Sequence, residues 1–241
     1  MPEAGTLEAG EVRAMFDRVA GVYDLLNSAM TAGLHHRWRE RAVDIAGVGP
    51  GARVLDVATG TGDLALELAR RVAPGGEVVG SDFSEGMLAR ARLKAGKADV
   101  RAEMRFEWGD ALELPYADDS FEAATVGFGV RNFSDLGRGL AEMARVVAPG
   151  GKVVVLEFTT PTRAPLSWFY RLWFDRIVPQ LGRFSADPEA YSYLPESVKR
   201  FPGPPVLAAE FERAGLREIG WVLTAGGIVT IHSGTVPAKA P

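Results

Sequence analysis

The chain alternates between apolar runs typical of buried strands and segments whose apolar residues recur at helical spacing. The strand-like runs are Val54–Val57, Glu77–Gly80, Arg105–Trp108, Glu122–Val126 and Val153–Phe158. The helix-like segments between them are Leu64–Val72, Glu85–Lys94 and Leu136–Val147. Continuous apolar runs suit strands covered on both faces, and strand–helix alternation predicts a doubly wound α/β sheet with right-handed crossovers.

Both ends of the chain and one insertion depart from this alternation. Residues 8–46 predict N-terminal helices, and residues 161–203 form an insertion rich in aromatic residues and proline. Ile219–Leu223 and Ile228–His232 flank a glycine turn and predict a closing β-hairpin. We therefore expect one Rossmann-like domain over residues 1–241, with a mostly parallel seven-stranded sheet, an antiparallel C-terminal hairpin, an N-terminal helical segment and a helical lid.

The composition argues against several kinds of partner and site. A net charge of -4 gives no basic field, so nucleic acid is not an expected partner. The absence of cysteine excludes disulfides and cysteine-based metal sites, and the three histidines lack metal-ligand spacing, so no metal is expected. Neither a signal peptide nor a membrane-spanning run is visible, which favours a cytoplasmic protein, with the inner face of the cell membrane as an alternative.

A glycine turn follows the first strand-like run. Gly60-Thr61-Gly62 leads into a helix-like segment, which suits a nucleotide-like cofactor because glycines permit close backbone approach and helix N–H groups face the ligand. Taken alone, the turn also matches the dinucleotide fingerprint, with Asp82 at ribose-binding spacing, so an NAD(P)-dependent oxidoreductase is an alternative. Asp56, upstream of the glycines, would repel a pyrophosphate but attract the ammonium of an amino-acid-like ligand.

These features resemble the successive motifs of class I S-adenosylmethionine (SAM) methyltransferases. The residues that the resemblance assigns to the cofactor are Asp56, Gly60, Thr61, Gly62, Asp82, Asp110, Ala111 and Gly127. It implies that the glycine turn lies along the methionine part, that Asp82 accepts from the ribose hydroxyls, and that Asp110 with Ala111 holds the adenine. The alternatives left open are that Asp56 and Asp110 cap strand ends and that Asp82 is a turn residue.

Longer motifs match a particular methyltransferase family. They are Tyr23–Asn27, Gly127–Asn132, Arg145–Glu157, Tyr191–Ser197 and Leu223–Val229. Together they resemble the ubiquinone/menaquinone biosynthesis C-methyltransferases, and they are far more specific than the glycine turn. Gly127 departs from the family's usual serine, which removes a hydroxyl from this part of the expected cofactor site.

The resemblance implies transfer of the SAM methyl group to a ring carbon of a lipophilic prenylated quinol. Within the family we favour the step from demethylmenaquinol to menaquinol, with 2-polyprenyl-6-methoxy-benzoquinol methylation in ubiquinone biosynthesis as the alternative. A cofactor-binding regulatory protein without catalysis is a third class. A quinol hydroxyl has a pKa near ~10, like tyrosine, and its phenolate donates charge to the adjacent carbon, so a fixed cation nearby would favour the reaction.

The segment after the fourth strand carries the expected catalytic residue. Arg131 lies where open α/β sheets bind ligands, and we expect it to stabilise the quinol phenolate. A structural salt bridge to a neighbour such as Asp135 is the alternative. Asn132 either orients the quinol or caps the next helix, with capping favoured, and Ser134 or Asp135 is a further candidate for that cap.

Tyrosines and histidines supply the remaining candidates. Tyr23 and Tyr193 are expected to line the quinol pocket, with buried aromatic packing as the alternative. His35 and His36 lie beside arginines on one helical segment, so a solvated face is favoured over catalysis. His232, on the closing hairpin, is expected to be a packed strand histidine.

The insertion contains a markedly aromatic segment. Ser167–Val178 holds two tryptophans, two phenylalanines and a tyrosine beside Arg171 and Arg176. We expect it to form an apolar lid over the pocket. Aromatic residues beside arginines also suit a lipid headgroup region, so peripheral membrane contact stays open. The sequence leaves a homo-oligomer open as well.

Overall fold

A mixed β-sheet forms the centre of the molecule. A computed structural model describes residues 9–21, 24, 31, 33–161, 164, 167–168 and 188–238. The strands are β1 (Arg53–Val57), β2 (Glu77–Asp82), β3 (Glu103–Trp108), β4 (Phe121–Gly127), β5 (Val147–Phe158), β6 (Arg217–Thr224) and β7 (Val229–Thr235). Their order is β3-β2-β1-β4-β5-β7-β6, with parallel pairing from β1 to β5 and antiparallel pairing of β7 to both neighbours. The expected sheet and closing hairpin are confirmed.

Helices cover both faces of the sheet. They are α1 (Ala9–Val19), α2 (His35–Ala46), α3 (Asp63–Val72), α4 (Glu85–Ala95), α5 (Leu136–Val146), α6 (Pro188–Arg200) and α7 (Pro204–Arg213), with 3-10 turns at Val130–Asn132 and Ala225–Gly227. The N-terminal helices expected over residues 8–46 correspond to α1 and α2. Among the described residues, no helix is long and apolar enough to cross a membrane.

Two hydrophobic cores lie on opposite faces of the sheet because successive strand residues point to opposite sides. In β1, Val54 packs into the core formed with α2, α3 and α4, whereas Leu55 packs into the core formed with α5 and α7. Val78 and Val79 divide in the same way in β2. Burial on both faces explains why these strands are continuously apolar rather than alternating.

The start of α5 decides between the alternative caps. The Asp135 side chain accepts a hydrogen bond from the Arg138 N–H at 2.9 Å, as an N-cap residue does. The capping role favoured for Asn132 is therefore wrong, since Asn132 belongs to the preceding 3-10 turn.

The fifth strand begins earlier than its apolar run. Pro149–Gly151 has the composition of a turn, but it belongs to β5, whose pairing with β4 shifts register between Phe121 and Ala123. Gly150 N–H donates to the Val236 carbonyl at 2.8 Å, and Val236 N–H donates to the Gly151 carbonyl at 2.9 Å. Backbone pairing to the C-terminal segment thus extends the strand through a glycine-rich stretch.

Most of the insertion over residues 161–203 lies outside the described residues. Within the described part, Trp168 is 69% exposed, and α6 occupies the C-terminal portion. Arg171, Arg176 and most of the aromatic segment fall outside it, so the lid stays a prediction. That residues 1–241 form one domain also stays a prediction.

Candidate active site

A pocket opens at the carboxyl ends of the central strands. β2 lies on one side of β1 and β4 on the other, so this is the point where the strand order reverses, the usual ligand site of an open α/β sheet. The lining residues are Phe16, Arg39, Asp56, Ala58, Thr59, Gly60, Thr61, Asp63, Leu64, Asp82, Phe83, Met87, Gly109, Asp110, Ala111, Leu112, Gly127, Phe128, Gly129, Asn132, Phe133 and Ser134. Seven of the eight residues expected at the cofactor line this pocket, and the eighth, Gly62, is the N-cap residue of α3 next to it in the chain.

The glycine turn between β1 and α3 requires glycine at both positions. Gly60 and Gly62 have φ angles of +57° and +83°, which residues other than glycine rarely adopt. A Cβ on Gly62 would also lie 3.0 Å from the Ala91 Cβ and 3.2 Å from the Phe106 Cε1. At Gly60 the same direction is open, which leaves room for a ligand against the backbone.

Asp82 ties the end of β2 to this turn. Its Oδ2 accepts from the Gly60 N–H at 2.8 Å, and its Oδ1 accepts from the Ser84 N–H at 2.9 Å. Burial raises the pKa of Asp82 to about 6, against these hydrogen bonds, which lower it. Each carboxylate oxygen has a second lone pair, so the group can still accept from two ribose hydroxyls.

Asp56 is buried at the end of β1. Its two oxygens accept from the hydroxyls of Thr59 at 2.6 Å and Thr125 at 2.7 Å. Burial raises the pKa of Asp56 to about 6. Since both oxygens serve protein hydroxyls, Asp56 supports the turn and adds negative charge to the pocket, and direct cofactor contact stays a prediction.

The Thr61 side chain is engaged by the protein. Its hydroxyl donates to Asp24 Oδ1 at 2.6 Å and accepts from Lys94 Nζ at 2.9 Å. Lys94 also forms ion pairs with Asp24 at 2.7 Å and Asp63 at 2.5 Å. Thr61 therefore fastens the glycine turn to α4 and to the N-terminal segment, and its expected contact with the cofactor stays a prediction.

The loop after β3 forms another wall of the pocket. Asp110 Oδ1 accepts from the Leu112 N–H at 2.9 Å, so one oxygen stabilises the local turn as the alternative interpretation expected. Ala111, Leu112 and Phe83 line the pocket beside it with apolar surface. Apolar side chains together with a carboxylate suit an adenine ring, whose amino group is a hydrogen-bond donor.

Two strained residues that sequence reasoning missed lie at the ends of β1 and β4. Ala58 and Phe128 have φ angles of +49° and +60° and both line the pocket. Such angles are costly for residues with a side chain and cluster at functional sites. A Cβ on Gly129 would lie 2.7 Å from that of Ala58, so the glycine allows the two strand ends to meet. The glycines flanking Phe128 were the sequence signal.

Arg131 forms an ion pair, but its partner is Glu157 and not Asp135. Its Nη1 lies 2.8 Å from Glu157 Oε1, and the side chains are 6% and 0% exposed. The same nitrogen donates to the Phe128 carbonyl. Asp135 instead caps α5, and Arg131 is not among the described residues that line the pocket. This geometry favours the structural alternative, and a catalytic role for Arg131 stays a prediction.

Asn132 and Tyr193 come together beside the pocket. The Tyr193 hydroxyl donates to Asn132 Oδ1 at 3.0 Å, and burial raises the pKa of Tyr193. Asn132 lines the pocket, whereas Tyr193 packs with Val12 and Met15 of α1. Two expected substrate residues are thus in contact. Tyr23 lies outside the described residues.

The histidine expectations were partly wrong. His35 is buried and lies 2.6 Å from the Thr31 hydroxyl, and burial together with Arg39 lowers the pKa of His35 to about 4, so only His36 fits the solvated face. The packed interpretation of His232 is confirmed, because its ring is fully buried and Nε2 lies 3.0 Å from the Pro204 carbonyl. No cluster suited to a metal ion occurs among the residues that the structure describes.

The charge of the pocket fits a sulfonium amino acid better than a dinucleotide. Its described acidic residues are Asp56, Asp63, Asp82 and Asp110, with Arg39 as the cationic counterpart. This lining would repel a pyrophosphate, whereas it attracts the sulfonium and ammonium of SAM. The residues present therefore fit SAM.

Comparisons with known proteins agree with this geometry. A model of the ubiE/COQ5 methyltransferase family matches residues 5–236. The demethylmenaquinone methyltransferase of Thermus thermophilus is 48% identical over 92% of this chain and 100% of that protein. The demethylmenaquinone methyltransferase of Desulfitobacterium hafniense is 41% identical over 98% of this chain and 94% of that protein. The ubiquinone/menaquinone biosynthesis C-methyltransferase UbiE of Geobacter sulfurreducens is 41% identical over 94% and 89%.

Solved structures share the fold at low sequence identity. A SAM-dependent methyltransferase from Aquifex aeolicus has a TM-score of 0.61 at 20% identity, covering 82% of this chain and 89% of that chain. One from Thermotoga maritima has a TM-score of 0.63 at 20% identity, covering 92% and 98%. These likenesses show the class I Rossmann-like methyltransferase fold.

The matches support methyl transfer and give no support to the oxidoreductase alternative. Fold, pocket charge and sequence matches agree that this enzyme is an S-adenosylmethionine-dependent methyltransferase. The chain belongs to the ubiE/COQ5 methyltransferase family.

Proposed function

We propose that this enzyme transfers the methyl group of SAM to a ring carbon of a prenylated quinol, converting demethylmenaquinol to menaquinol. The observation that carries the proposal is the 48% identity, over 92% of the chain, to a relative named demethylmenaquinone methyltransferase. A second relative of that name aligns with 98% of the chain at 41% identity.

The pocket supplies an apolar face for an aromatic substrate. Phe128 and Phe133, which flank the 3-10 turn that carries Asn132, both line it. Phe128 is fixed from behind, because its ring centroid lies 4.6 Å from that of Phe158 and 6.3 Å from that of Trp38. Rigid aromatic walls bury a flat ring at low entropic cost and hold it in one orientation.

The cofactor is held by the acidic side of the same pocket. Bound SAM supplies an electrophilic methyl group on a positively charged sulfur. Asp82 accepts from the ribose hydroxyls, and Asp110 with Ala111 holds the adenine. The glycine turn gives the methionine part close access to the backbone. Because Asp82 bonds directly to the Gly60 N–H, ribose binding and the shape of the turn are linked.

Asn132 is the residue best placed to orient the quinol. Its Oδ1 accepts from the Tyr193 hydroxyl, so the side-chain amide keeps its N–H donors for a quinol oxygen. Donation to that oxygen favours the phenolate, which is the form whose ring carbon is nucleophilic. The ion pair of Arg131 with Glu157 fixes the 3-10 turn that carries Asn132.

We further propose that the polyprenyl tail leaves the pocket at a membrane surface, which would place the enzyme at the inner face of the cell membrane. Trp168, in the insertion, is 69% exposed, and an exposed tryptophan suits the lipid headgroup region. Sedimentation with vesicles should show binding that Trp168→Ser weakens. Equal sedimentation of both proteins would remove this role. A homo-oligomer stays open as an alternative.

A second candidate substrate is the benzoquinol of ubiquinone biosynthesis, because a 41% identical relative carries a name that covers both pathways. Radiolabelled SAM supplied with each quinol separately tests the choice. We expect label in the naphthoquinol product at a kcat/KM well above that for the benzoquinol. The reverse preference would transfer the assignment to the ubiquinone branch, and label in neither quinol would reject the proposed function.

A further inference from the structure

Arg39 of α2 is a buried cation at the edge of the pocket, on the helical segment whose histidines were expected to face solvent. It is only 7% exposed and lines the pocket. Its Nη2 lies 3.2 Å from Asp63 Oδ2. Its Nη1 is buried and has no hydrogen-bond partner among the described residues. A buried guanidinium donor without an acceptor is costly, so its presence calls for an explanation such as a ligand.

Asp63 holds one side of the Arg39 guanidinium and leaves the other side without an acceptor among the described residues. Asp63 is the first residue of α3, directly after Gly62 of the glycine turn. That carboxylate is shared, because its other oxygen, Oδ1, pairs with Lys94 Nζ at 2.5 Å. Asp24 also pairs with Lys94, at 2.7 Å, so the two cations and the two carboxylates of this cluster balance in charge. Asp63 thus orients the Arg39 guanidinium beside the turn, while Nη1 keeps a free donor among the described residues.

We infer that the Arg39 guanidinium binds the carboxylate of the methionine part of SAM, and this inference rests on the cofactor given in the proposed function. A ribose acceptor, Asp82, bonds to Gly60 at one end of the turn, and Arg39 stands at the other end, next to the residue after Gly62. The amino-acid part of SAM carries one carboxylate, and Arg39 is the cation among the described lining residues. A guanidinium matches a carboxylate in charge and planar geometry.

Calorimetry with two ligands that differ only in this group tests the inference. S-adenosylhomocysteine carries the carboxylate, and its decarboxylated counterpart lacks it. Arg39→Met should weaken binding of S-adenosylhomocysteine roughly 10- to 100-fold, the range for a lost charged hydrogen bond, and leave the decarboxylated ligand nearly unaffected. Arg37→Met is the matched control, since Arg37 is exposed on the same helix and both ligands should bind it as they bind the wild type.

Each other outcome overturns the inference. Equal weakening of both ligands would make Arg39 a support for Asp63 only, and unchanged affinity would show that it does not touch the ligand. If Arg39→Met fails to fold, Arg39→Lys is measured instead, and a smaller but still carboxylate-dependent loss is expected because the fork geometry is lost. Failure of the wild type to bind S-adenosylhomocysteine would reject the proposed cofactor itself, which the variants alone cannot do.

Discussion

Asp82 is the residue through which pH should act on cofactor binding. Burial raises its pKa to about 6, and the same holds for Asp56 nearby. Above this pH both groups are ionised, accept hydrogen bonds and attract the sulfonium. Below it they are protonated in the free enzyme, so SAM must displace a proton and binding weakens.

We therefore expect the dissociation constant of SAM to be flat above about pH 7 and to rise as the pH falls through about 6. Calorimetry between pH 5 and 8 measures this. Asp82→Asn should bind SAM more weakly, by roughly 1–3 kcal/mol, and should show a smaller pH dependence. A dissociation constant that does not change with pH would contradict the role of these carboxylates.

The folding stability of the free protein should depend on pH in the opposite direction to SAM binding. Because the folded-state pKa of Asp82 lies above its ordinary value of 3.8, its contribution to folding stability is present below that value and is lost as the pH rises through about 6. The buried carboxylate at neutral pH is thus a cost to the fold, which bound ligand relieves. This is the usual balance at a functional site.

The Arg131–Glu157 pair should prove necessary for stability. Both side chains are buried, and removing one partner leaves an uncompensated charge. Arg131→Met is expected to lower the free energy of unfolding by roughly 3–5 kcal/mol, measured in urea. Arg131→Met combined with Glu157→Leu should recover much of this loss. A single variant as stable as the wild type, yet without turnover, would support the catalytic role instead.

The sequence alone does not identify Glu157 as the partner of Arg131. Arg131 lies in the 3-10 turn that follows β4, and Glu157 lies near the end of the neighbouring strand β5, so their contact depends on how the two strands pair. Asp135, a neighbour in the chain, was the partner expected for Arg131, but Asp135 caps the start of α5. Burial of Arg39 was missed for a similar reason, because its partner, Asp63, belongs to α3.

At the scale of elements, α1 closes over the cofactor side of the pocket. Phe16 lines the pocket, and Asp17 Oδ1 accepts from the Ser84 hydroxyl at 2.5 Å and from the Gly86 N–H at 3.1 Å. Ser84 caps α4 immediately after Asp82 and Phe83. One carboxylate therefore fastens this helix next to the ribose acceptor, where the helix dipole favours negative charge.

Asp17→Ala should release α1 while the sheet stays folded. Hydrogen exchange of the α1 amides should be faster by a factor corresponding to roughly 1–2 kcal/mol, because two hydrogen bonds to a charged group are lost. Arg13→Ala, an exposed position on the same helix, is the control and should leave exchange unchanged. Unaltered protection of α1 in Asp17→Ala would show that packing of its apolar face alone holds the helix.

Element types were predictable where local patterns decide them. The apolar runs of β1 and β2 gave strands because both faces are buried, and the positions of α3 and α4 followed from helical spacing. The predicted boundary of an element was wrong where hydrogen bonds to a distant segment determine it. The stretch Pro149–Gly151 has turn composition, yet its hydrogen bonds to Val236 draw it into β5. Such distant pairing leaves no local signature.

At the scale of the whole molecule, the unfolding temperature measured with different ligands should identify the cofactor. Any ligand that binds only the folded state stabilises it, by about 2.7 kcal/mol at a concentration of 100 times its dissociation constant. We expect S-adenosylhomocysteine to raise the unfolding temperature, whereas NADH should leave it unchanged. A shift produced by NADH alone would contradict the acidic pocket as the determinant of cofactor choice.

The candidate site was predictable to the extent that topology fixes it. Residues at the carboxyl ends of parallel strands must meet, which brings Asp56, Asp82 and Gly127 to one pocket. The residues that α1 and α2 add, Phe16 and Arg39, depend on how those helices pack over the sheet, which spacing does not reveal.

The most direct measurement follows the methyl group itself. Purified enzyme is incubated with SAM carrying a deuterated methyl group and with demethylmenaquinol, and the product is examined by mass spectrometry and NMR. Deuterated methyl on the ring carbon of menaquinol is the predicted result. Label on a quinol oxygen, or unmodified quinol in the presence of enzyme shown to bind SAM, would contradict the proposed reaction.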